Sequence, residues 1–172
     1  MKKIKYFFEF LIIFIFLLIF KIAGYRIASS LGNSIGKIIG PRFRSKKVII
    51  DNIKKFKPEI KEDEINHIIE KMWGNYGRIL AEYVYIPEFR KRRLDNYLKI
   101  EGLENLKKIK NSGKPTVFIS GHFNNFELMA MIIEREGVEL SAVYRPLNNK
   151  FLNILMEYLR KNYICKSQIK KG

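Results

Sequence analysis

His122 and Glu127 have the residue types and spacing best suited to chemistry, and they stand five positions apart in the stretch GHFNNFELM. A histidine, with a reference pKa of about 6.5, can accept or donate a proton near neutral pH. Five helical steps place two residues about 140° apart, so these side chains cannot meet within one regular helix. They can meet if the histidine lies in the turn before a helix and Glu127 in its first turn, with Asn124 or Asn125 as N-cap.

A purely structural role explains the same residues. Asn124 followed three residues later by Glu127 fits a capping box, in which the carboxylate satisfies backbone N–H groups at the start of a helix. In this interpretation His122 is an ordinary loop residue. The residues of this stretch leave both interpretations open.

The segments around this stretch predict an α/β fold. Three segments are predicted strands, namely 97–102, 115–120 and 138–145, and three are predicted helices, namely 103–113, 125–136 and 149–163. Their alternation predicts a partial, mostly parallel sheet built from βαβ units. Ligands of open α/β sheets bind at the carboxyl ends of the strands, and His122 follows the predicted strand 115–120 by two residues. The last residues, ICKSQIKKG, suit either the start of a strand or a ragged end.

The amino-terminal segment predicts a membrane-anchor helix. Residues 10–20 are uninterruptedly apolar, and with their neighbours they approach the roughly 20 residues that span a bilayer. The alternative is a signal peptide cleaved near RIASS, residues 26–30. Most flanking basic residues follow the apolar run, which favours a cytoplasmic body, but lysines also precede it, as in a helix lying in the membrane plane.

The region after the anchor is predicted to be helical, basic and close to the membrane. Gly32, Gly36 and Gly40 repeat every four residues and share one helix face, which allows another helix or lipid to approach closely. Pro41 is expected to end that helix. Residues 42–57 are rich in lysine and arginine, which indicates either a segment at an anionic membrane surface or a solvated basic helix.

The charge of the chain predicts an anionic partner. Lys plus Arg number 33 against 17 Asp plus Glu, a formal net charge of +16, so nucleic acid, an anionic membrane and an acidic protein are all candidates. The apolar anchor and the absence of a recognised binding motif argue against nucleic acid. The basic cluster, Arg90 to Arg93, indicates either a docking patch for something acidic or a solvated turn.

Cys165 is the single cysteine, which excludes an intrachain disulfide and fits a reducing compartment.

GHFNNFE at 121–127, together with VYRPLNN at 143–149, resembles the bacterial lipid A biosynthesis acyltransferases, the lauroyl and myristoyl transferases. These are relatives of glycerolipid acyltransferases that share a His-x-x-x-x-acid motif. The family segment commonly reads Gly-His-Phe-Gly-Asn-Trp-Glu; here Asn124 replaces the glycine and Phe126 the tryptophan. The anchor, the glycine-spaced helix, the basic stretch with Asn52 and the MWGNYGRILAEY helix are also similar to the family. Family members usually continue with further strands and an Asp-Gln motif, so this chain looks like their amino-terminal portion.

The resemblance implies transfer of an acyl group from an acyl carrier protein thioester to a hydroxyl of a lipid A precursor. His122 would be the general base, and Glu127 would hold its imidazole in the required tautomer. Arg145 would stabilise the oxyanion or bind a phosphate of the lipid or of the phosphopantetheine arm; the alternative is a surface arginine at a strand end. No covalent acyl-enzyme is required, so Cys165 is expected to fill apolar space rather than act as a nucleophile.

The resemblance also implies where the substrates bind. Asn124 and Asn125, near the helix N-terminus, and Tyr144 would contact substrate, and Arg90, Arg92 and Arg93 would dock the acidic carrier. No metal, cofactor or nucleic acid is expected. The partners would be the carrier thioester, the lipid A precursor and the bacterial inner membrane, with the catalytic part facing the cytoplasm.

Three segments follow from these expectations: a membrane anchor at 1–25, a helical, basic membrane-proximal region at 26–95 and a partial α/β acyltransferase domain at 96–172. Two alternatives remain for the activity. One is a lysophospholipid or glycerolipid acyltransferase, and the other is an inactive, truncated, membrane-bound fragment.

Overall fold

The computed structural model describes residues 2–171, and the chain divides into two compact units. One unit is Phe16–Val84, and the other combines residues 1–15 with 85–172. The helices are α1 (Lys2–Ala23), α2 (Tyr25–Ile39), α3 (Lys46–Phe56), α4 (Glu62–Glu82), α5 (Ile86–Arg90), α6 (Leu103–Ser112), α7 (Glu127–Arg135) and α8 (Lys150–Leu159). The strands are β1 (Ser141–Tyr144) and β2 (Ser167–Lys170), and a π-helical turn, Arg160–Ile164, follows α8.

In the unit Phe16–Val84, small residues let α2 and α4 pack against each other at close range. A Cβ atom added to Gly36 would collide with the carbonyl oxygen of Trp73, and one added to Gly77 would collide with that of Gly32. Only glycine leaves room for the opposite backbone at these positions. The glycine spacing predicted close approach by a helix or by lipid, and α4 is the element that approaches Gly32 and Gly36.

The core of the same unit lies where α3 packs on α4. Its buried members are Ile49, Ile60, Ile65, Ile69 and Trp73. Gly40 lies against the indole of Trp73, where a Cβ atom would collide with the ring. Pro41 sits in the 3₁₀ turn Gly40–Arg42, so α2 ends where the proline predicted.

Within residues 2–171, α1 is the one helix long and apolar enough to cross a membrane. Most of its large apolar side chains are exposed, whereas Leu17 and Phe20 are buried. A helix that is apolar on all sides and covered by so little protein suits a lipid environment better than water. By length and composition, α1 therefore matches the predicted anchor.

In the unit formed by residues 1–15 and 85–172, β1 and β2 pair in parallel with α8 between them in the chain. Ser141 is opposite Ser167 and Tyr144 is opposite Lys170, and the hydroxyl of Ser141 donates to that of Ser167 at 2.9 Å. Parallel strands need such a crossover, which makes this a βαβ unit. The α/β class with an apolar amino-terminal helix and a small parallel sheet is confirmed.

Two of the predicted strands are wrong. Residue 97 ends the 3₁₀ turn Asp95–Tyr97 and residues 98–102 are irregular, and residues 115–120 are irregular and mostly exposed. Val117 is 85% and Ile119 is 93% exposed, although their sequence is typical of a buried strand. A strand forms only when a neighbour completes its hydrogen bonds, and within the described part of the chain β1 pairs only with β2.

Asn149 joins α8 to the first half of α1. Its Oδ1 caps α8 by accepting from the backbone N–H groups of Phe151 and Leu152, at 3.1 and 3.3 Å. Its Nδ2 donates to the carbonyl oxygen of Tyr6 at 2.9 Å and reaches Glu9 Oε2 at 3.3 Å. One buried amide thus uses both its acceptor and its donors, which fixes the start of α8 against α1.

Candidate active site

The loop 121–126 carries His122 to the start of α7. Asn124 adopts a left-handed backbone with φ of 48°, which asparagine tolerates better than most residues. The chain turns there, and Phe126 N–H donates to the carbonyl oxygen of Asn124 at 3.0 Å. His122 is exposed, and its ring lies 4.2 Å from that of Phe126, centroid to centroid. The N-cap of α7 is Phe126, so the predicted cap at Asn124 or Asn125 is displaced by one or two residues.

Glu127 is the first residue of α7, and its carboxylate is buried. Its Oε1 accepts from both Nε and Nη2 of Arg160, at 2.8 and 2.5 Å. The side chains are 7% and 14% exposed, so water screens this ion pair very little. A buried carboxylate needs such a partner, because an unpaired charge in the interior is costly. Arg160 therefore fixes the position of the acidic residue of the His-x-x-x-x-acid motif.

Arg160 is a residue that sequence reasoning missed. It opens the π-helical turn after α8, 33 residues beyond Glu127. Its guanidinium carbon also lies 5.6 Å from the ring centroid of Tyr144, within the range of a cation–π contact. No local pattern marks Arg160, because only the β1–α8–β2 crossover brings it back to α7.

The hydroxyl of Tyr144 belongs to a second charged cluster. It donates to Glu157 Oε1 at 2.5 Å, and Asn153 and Lys170 donate to the same oxygen at 2.8 and 3.0 Å. These donors, the tyrosine first, lower the pKa of Glu157 from 4.5 to about 2. Partial burial and the hydrogen bond to Glu157 raise the pKa of Tyr144. The cluster fixes the end of β1 to α8 and β2.

Arg145, the next residue along the chain, is exposed at the carboxyl end of β1. No side-chain acceptor for it is resolved within residues 2–171, so its guanidinium is available to an anionic group. Asn124 is exposed and Asn125 is half-buried in the turn before α7. Asn124 and Asn125 lie between His122 and Glu127 in the sequence, and Arg145 directly follows Tyr144.

The arginine cluster at 90–93 has its own intramolecular partners. Arg90 Nη1 donates to the carbonyl oxygen of Met131 in α7 at 3.2 Å. Arg92 and Arg93 pair with nearby carboxylates, but their side chains stay 55% and 65% exposed. Lys91 is exposed as well. The cluster therefore supports α7 and still presents positive charge to solvent.

Cys165 is buried at the entrance to β2. Its Sγ contacts the carbonyl oxygens of Leu140 and Ser167, at 2.7 and 3.1 Å. Burial raises the pKa of the thiol, which keeps it in the unreactive protonated form. These features suit a thiol that fills space between β1 and β2.

Comparison with known proteins identifies one family. The sequence profile described as bacterial lipid A biosynthesis acyltransferase matches residues 1–167. A lipid A biosynthesis acyltransferase from Haemophilus influenzae is 22% identical over 149 residues, which is 86% of this chain. The same alignment covers 47% of the relative, so the chain spans about half the length of the curated relative it matches. No solved structure matches the chain.

Proposed function

The chain belongs to the bacterial lipid A biosynthesis acyltransferase family, and we propose that it transfers a fatty acyl group from an acyl carrier protein thioester to a hydroxyl of a lipid A precursor. The observation that carries the proposal is the arrangement at the start of α7. There an exposed imidazole, His122, precedes a buried carboxylate, Glu127, which Arg160 fixes in place. An exposed base five residues before a fixed acid suits a reaction whose substrates approach from outside.

His122 acts as the general base in this reaction. An alcohol is barely ionised near neutral pH, so the imidazole takes the hydroxyl proton as the oxygen attacks the thioester carbon. The C–O bond forms and the carbonyl oxygen becomes an oxyanion. When the oxyanion collapses, the C–S bond breaks and the leaving thiolate takes the proton back from the imidazolium.

Glu127 orients the imidazole and stabilises its cation, as the acid does in a catalytic triad. In this structure the His122 ring lies on Phe126 and the carboxylate of Glu127 is held by Arg160. Binding of the acceptor lipid turns the imidazole from Phe126 towards Glu127, since catalytic hydrogen bonds commonly tighten only in the substrate complex. Arg160 keeps the carboxylate in place while the histidine moves.

Arg145 receives the negative charge of the reaction or of a substrate. It is exposed at the carboxyl end of β1, where parallel sheets bind ligands. Its guanidinium can hold the oxyanion, or a phosphate of the lipid or of the phosphopantetheine arm. Asn124, Asn125 and Tyr144 contribute polar contacts to the bound substrate.

The carrier docks on the positive charge of Arg90, Arg92 and Arg93, of which Arg92 and Arg93 are exposed and Arg90 is half-buried. Acyl carrier proteins are acidic, so this surface attracts them over a distance of about one Debye length. Because the side chains of Arg92 and Arg93 are more than half exposed, they can exchange an internal carboxylate for one on the carrier.

The chain works at the bacterial inner membrane with its active site on the cytoplasmic side. The support is α1, which is long and apolar enough to cross a bilayer, and the basic residues that follow it. A carrier thioester and a lipid acceptor can then meet at one membrane surface.

The proposal is tested by turnover in membranes that contain this chain and no other lipid A acyltransferase. The membranes receive an acyl carrier protein thioester and a lipid A precursor, and acylated lipid A is measured by mass spectrometry. His122→Ala is compared with His67→Ala, which removes the other histidine, an exposed residue of α4. We expect product with the parent and with His67→Ala, and a loss of about 10²-fold or more with His122→Ala.

Two results would overturn the proposal, and the first is measured with lysophosphatidic acid added to the same assay as a competing acceptor. Lysophosphatidic acid acylated in preference to the lipid A precursor would indicate a glycerolipid acyltransferase. Absence of product from the parent chain would indicate an inactive fragment. The positive control is a parallel reaction with the Haemophilus influenzae relative, which shows that the thioester and the lipid A precursor can react under these conditions.

A further inference from the structure

A cavity of about 310 Å³ lies among α2, the turn after it, α3 and α4, all within the unit Phe16–Val84. Its apolar lining includes Ile49, Ile69 and Trp73, and none of its lining residues belongs to the proposed active site. The volume is at the lower end of the range for ligand sites. The cavity therefore suits a compact group rather than a whole lipid.

The cavity carries an excess of positive charge. Lys37, Arg44 and Lys46 line it, against one carboxylate, Glu70. Lys37 Nζ pairs with Glu70 Oε1 at 2.5 Å, so this lysine is already neutralised. Arg44 and Lys46 are exposed, and no side-chain partner of either is resolved within residues 2–171. Two cations of this cavity thus remain available to a ligand, which must be anionic.

Two further sets of N–H donors belong to residues that line the cavity. The indole Nε1 of Trp73 is buried and has no hydrogen-bond partner within the described residues. Helix α3 begins at Lys46, and its N-cap residue, Ser45, provides no side-chain hydrogen bond to the first turn. The N–H groups at a helix start and the positive end of its dipole favour an anion with several acceptor oxygens. A phosphate group has that chemistry.

The surroundings of the cavity favour a lipid as the source of the phosphate. Phe43 precedes Arg44 in the chain and is 78% exposed, and Ile38 in α2 is also largely exposed. Exposed apolar side chains next to cations are typical of surfaces that lie in the membrane interface. The candidate membrane helix α1 ends at Ala23, two residues before α2 begins. We propose that this cavity binds the phosphate headgroup of an anionic glycerophospholipid, with Arg44, Lys46 and the start of α3 as its ligands.

The proposal is tested on the full chain in micelles of an uncharged detergent. Trp73 is the sole tryptophan and lines the cavity, so its fluorescence reports directly on occupancy. Three probes are titrated: short-chain phosphatidylglycerol, short-chain phosphatidylcholine and inorganic phosphate. We expect a saturable change in emission with phosphatidylglycerol and none with the other two at the same concentrations.

Two double variants distinguish a site from general attraction to positive charge. Arg44→Gln with Lys46→Gln removes the two unpartnered cations of the cavity. Lys54→Gln with Lys55→Gln removes the same charge from exposed positions of α3 that do not line it. We expect the first pair to raise the half-saturating concentration about tenfold or more, and the second less than threefold. Circular dichroism establishes that both variants keep their helices.

Three results would overturn the proposal. Equal weakening by the two double variants would show that binding follows net charge alone. An equal response to phosphatidylcholine, whose phosphate is balanced by a quaternary ammonium group, would show that the cavity does not require an anionic headgroup. Saturation by inorganic phosphate at the same concentration would assign the cavity to free phosphate rather than to a lipid.

Discussion

Glu127 and Arg160 form a buried ion pair between the first residue of α7 and the first residue of the π-helical turn after α8. The acid of the sequence motif is thus held by a residue on another element of the β1–α8–β2 crossover. The guanidinium donates twice to one oxygen and also lies over the ring of Tyr144. The motif that could do chemistry and the small parallel sheet are therefore parts of one packed structure.

Arg160→Gln is expected to lower the free energy of unfolding of this unit by about 3 kcal/mol, because it leaves the buried carboxylate of Glu127 without its cation. Thermal unfolding in detergent, followed by circular dichroism, measures the loss. Lys161→Gln, at the next and exposed position, is the control and should change little. The double variant Glu127→Gln with Arg160→Gln should be more stable than Arg160→Gln alone, because no unpaired charge remains buried. A double variant that loses as much free energy of unfolding as the two single variants together would contradict the pairing.

Gly77→Ala is expected to destabilise the unit Phe16–Val84 by about 2 kcal/mol or more. The new methyl group would collide with the carbonyl oxygen of Gly32, and overpacking of this kind outweighs the roughly 1 kcal/mol that alanine contributes to helix propensity. Urea unfolding followed by the fluorescence of Trp73 reports on this unit. Arg78→Ala, one residue away and exposed, should leave the midpoint almost unchanged. A Gly77→Ala midpoint equal to that of the parent would rule out the close crossing of α2 and α4.

Sequence reasoning identified what depends on neighbours in the chain and missed what depends on distant partners. The glycine spacing in α2, and β1 with the helix that follows it, were predictable because periodicity and alternation are local. The last residues suit either the start of a strand or a ragged end by their sequence, and they form β2. Arg160 was not predictable, because it reaches Glu127 only after the crossover has folded. Val117 and Ile119 were misread for the same reason: their pattern is that of a buried strand, but no strand within residues 2–171 pairs with them.

Glu157 is expected to make the stability of the chain fall in acid. Its folded pKa of about 2 lies below its ordinary value of 4.5, so ionised Glu157 stabilises the fold above about pH 4.5, and this contribution is lost as the pH falls towards 2. Glu157→Gln should flatten the decline of the unfolding temperature between pH 5 and pH 2, since glutamine does not titrate. Glu139→Gln, an exposed carboxylate in the same unit, is the control and should keep the parent's slope. Identical slopes for the parent and Glu157→Gln would remove Glu157 as the source.

Charge reversal in the cluster at 90–93 is expected to weaken binding of an acidic acyl carrier protein. Lys91→Glu is the cleanest change, because Lys91 is exposed and no internal partner of it is resolved within residues 2–171, whereas Arg93→Glu also breaks the ion pair with Glu88. Each substitution should raise the Kd about fivefold or more at low salt, and the difference should shrink at high salt because exposed charges are screened. Surface plasmon resonance with the acylated carrier at two ionic strengths measures both effects. The control is Lys114→Glu, which changes the net charge equally at an exposed site outside the cluster. If Lys114→Glu weakens carrier binding as much as Lys91→Glu does, the carrier responds to overall charge and does not dock on the cluster.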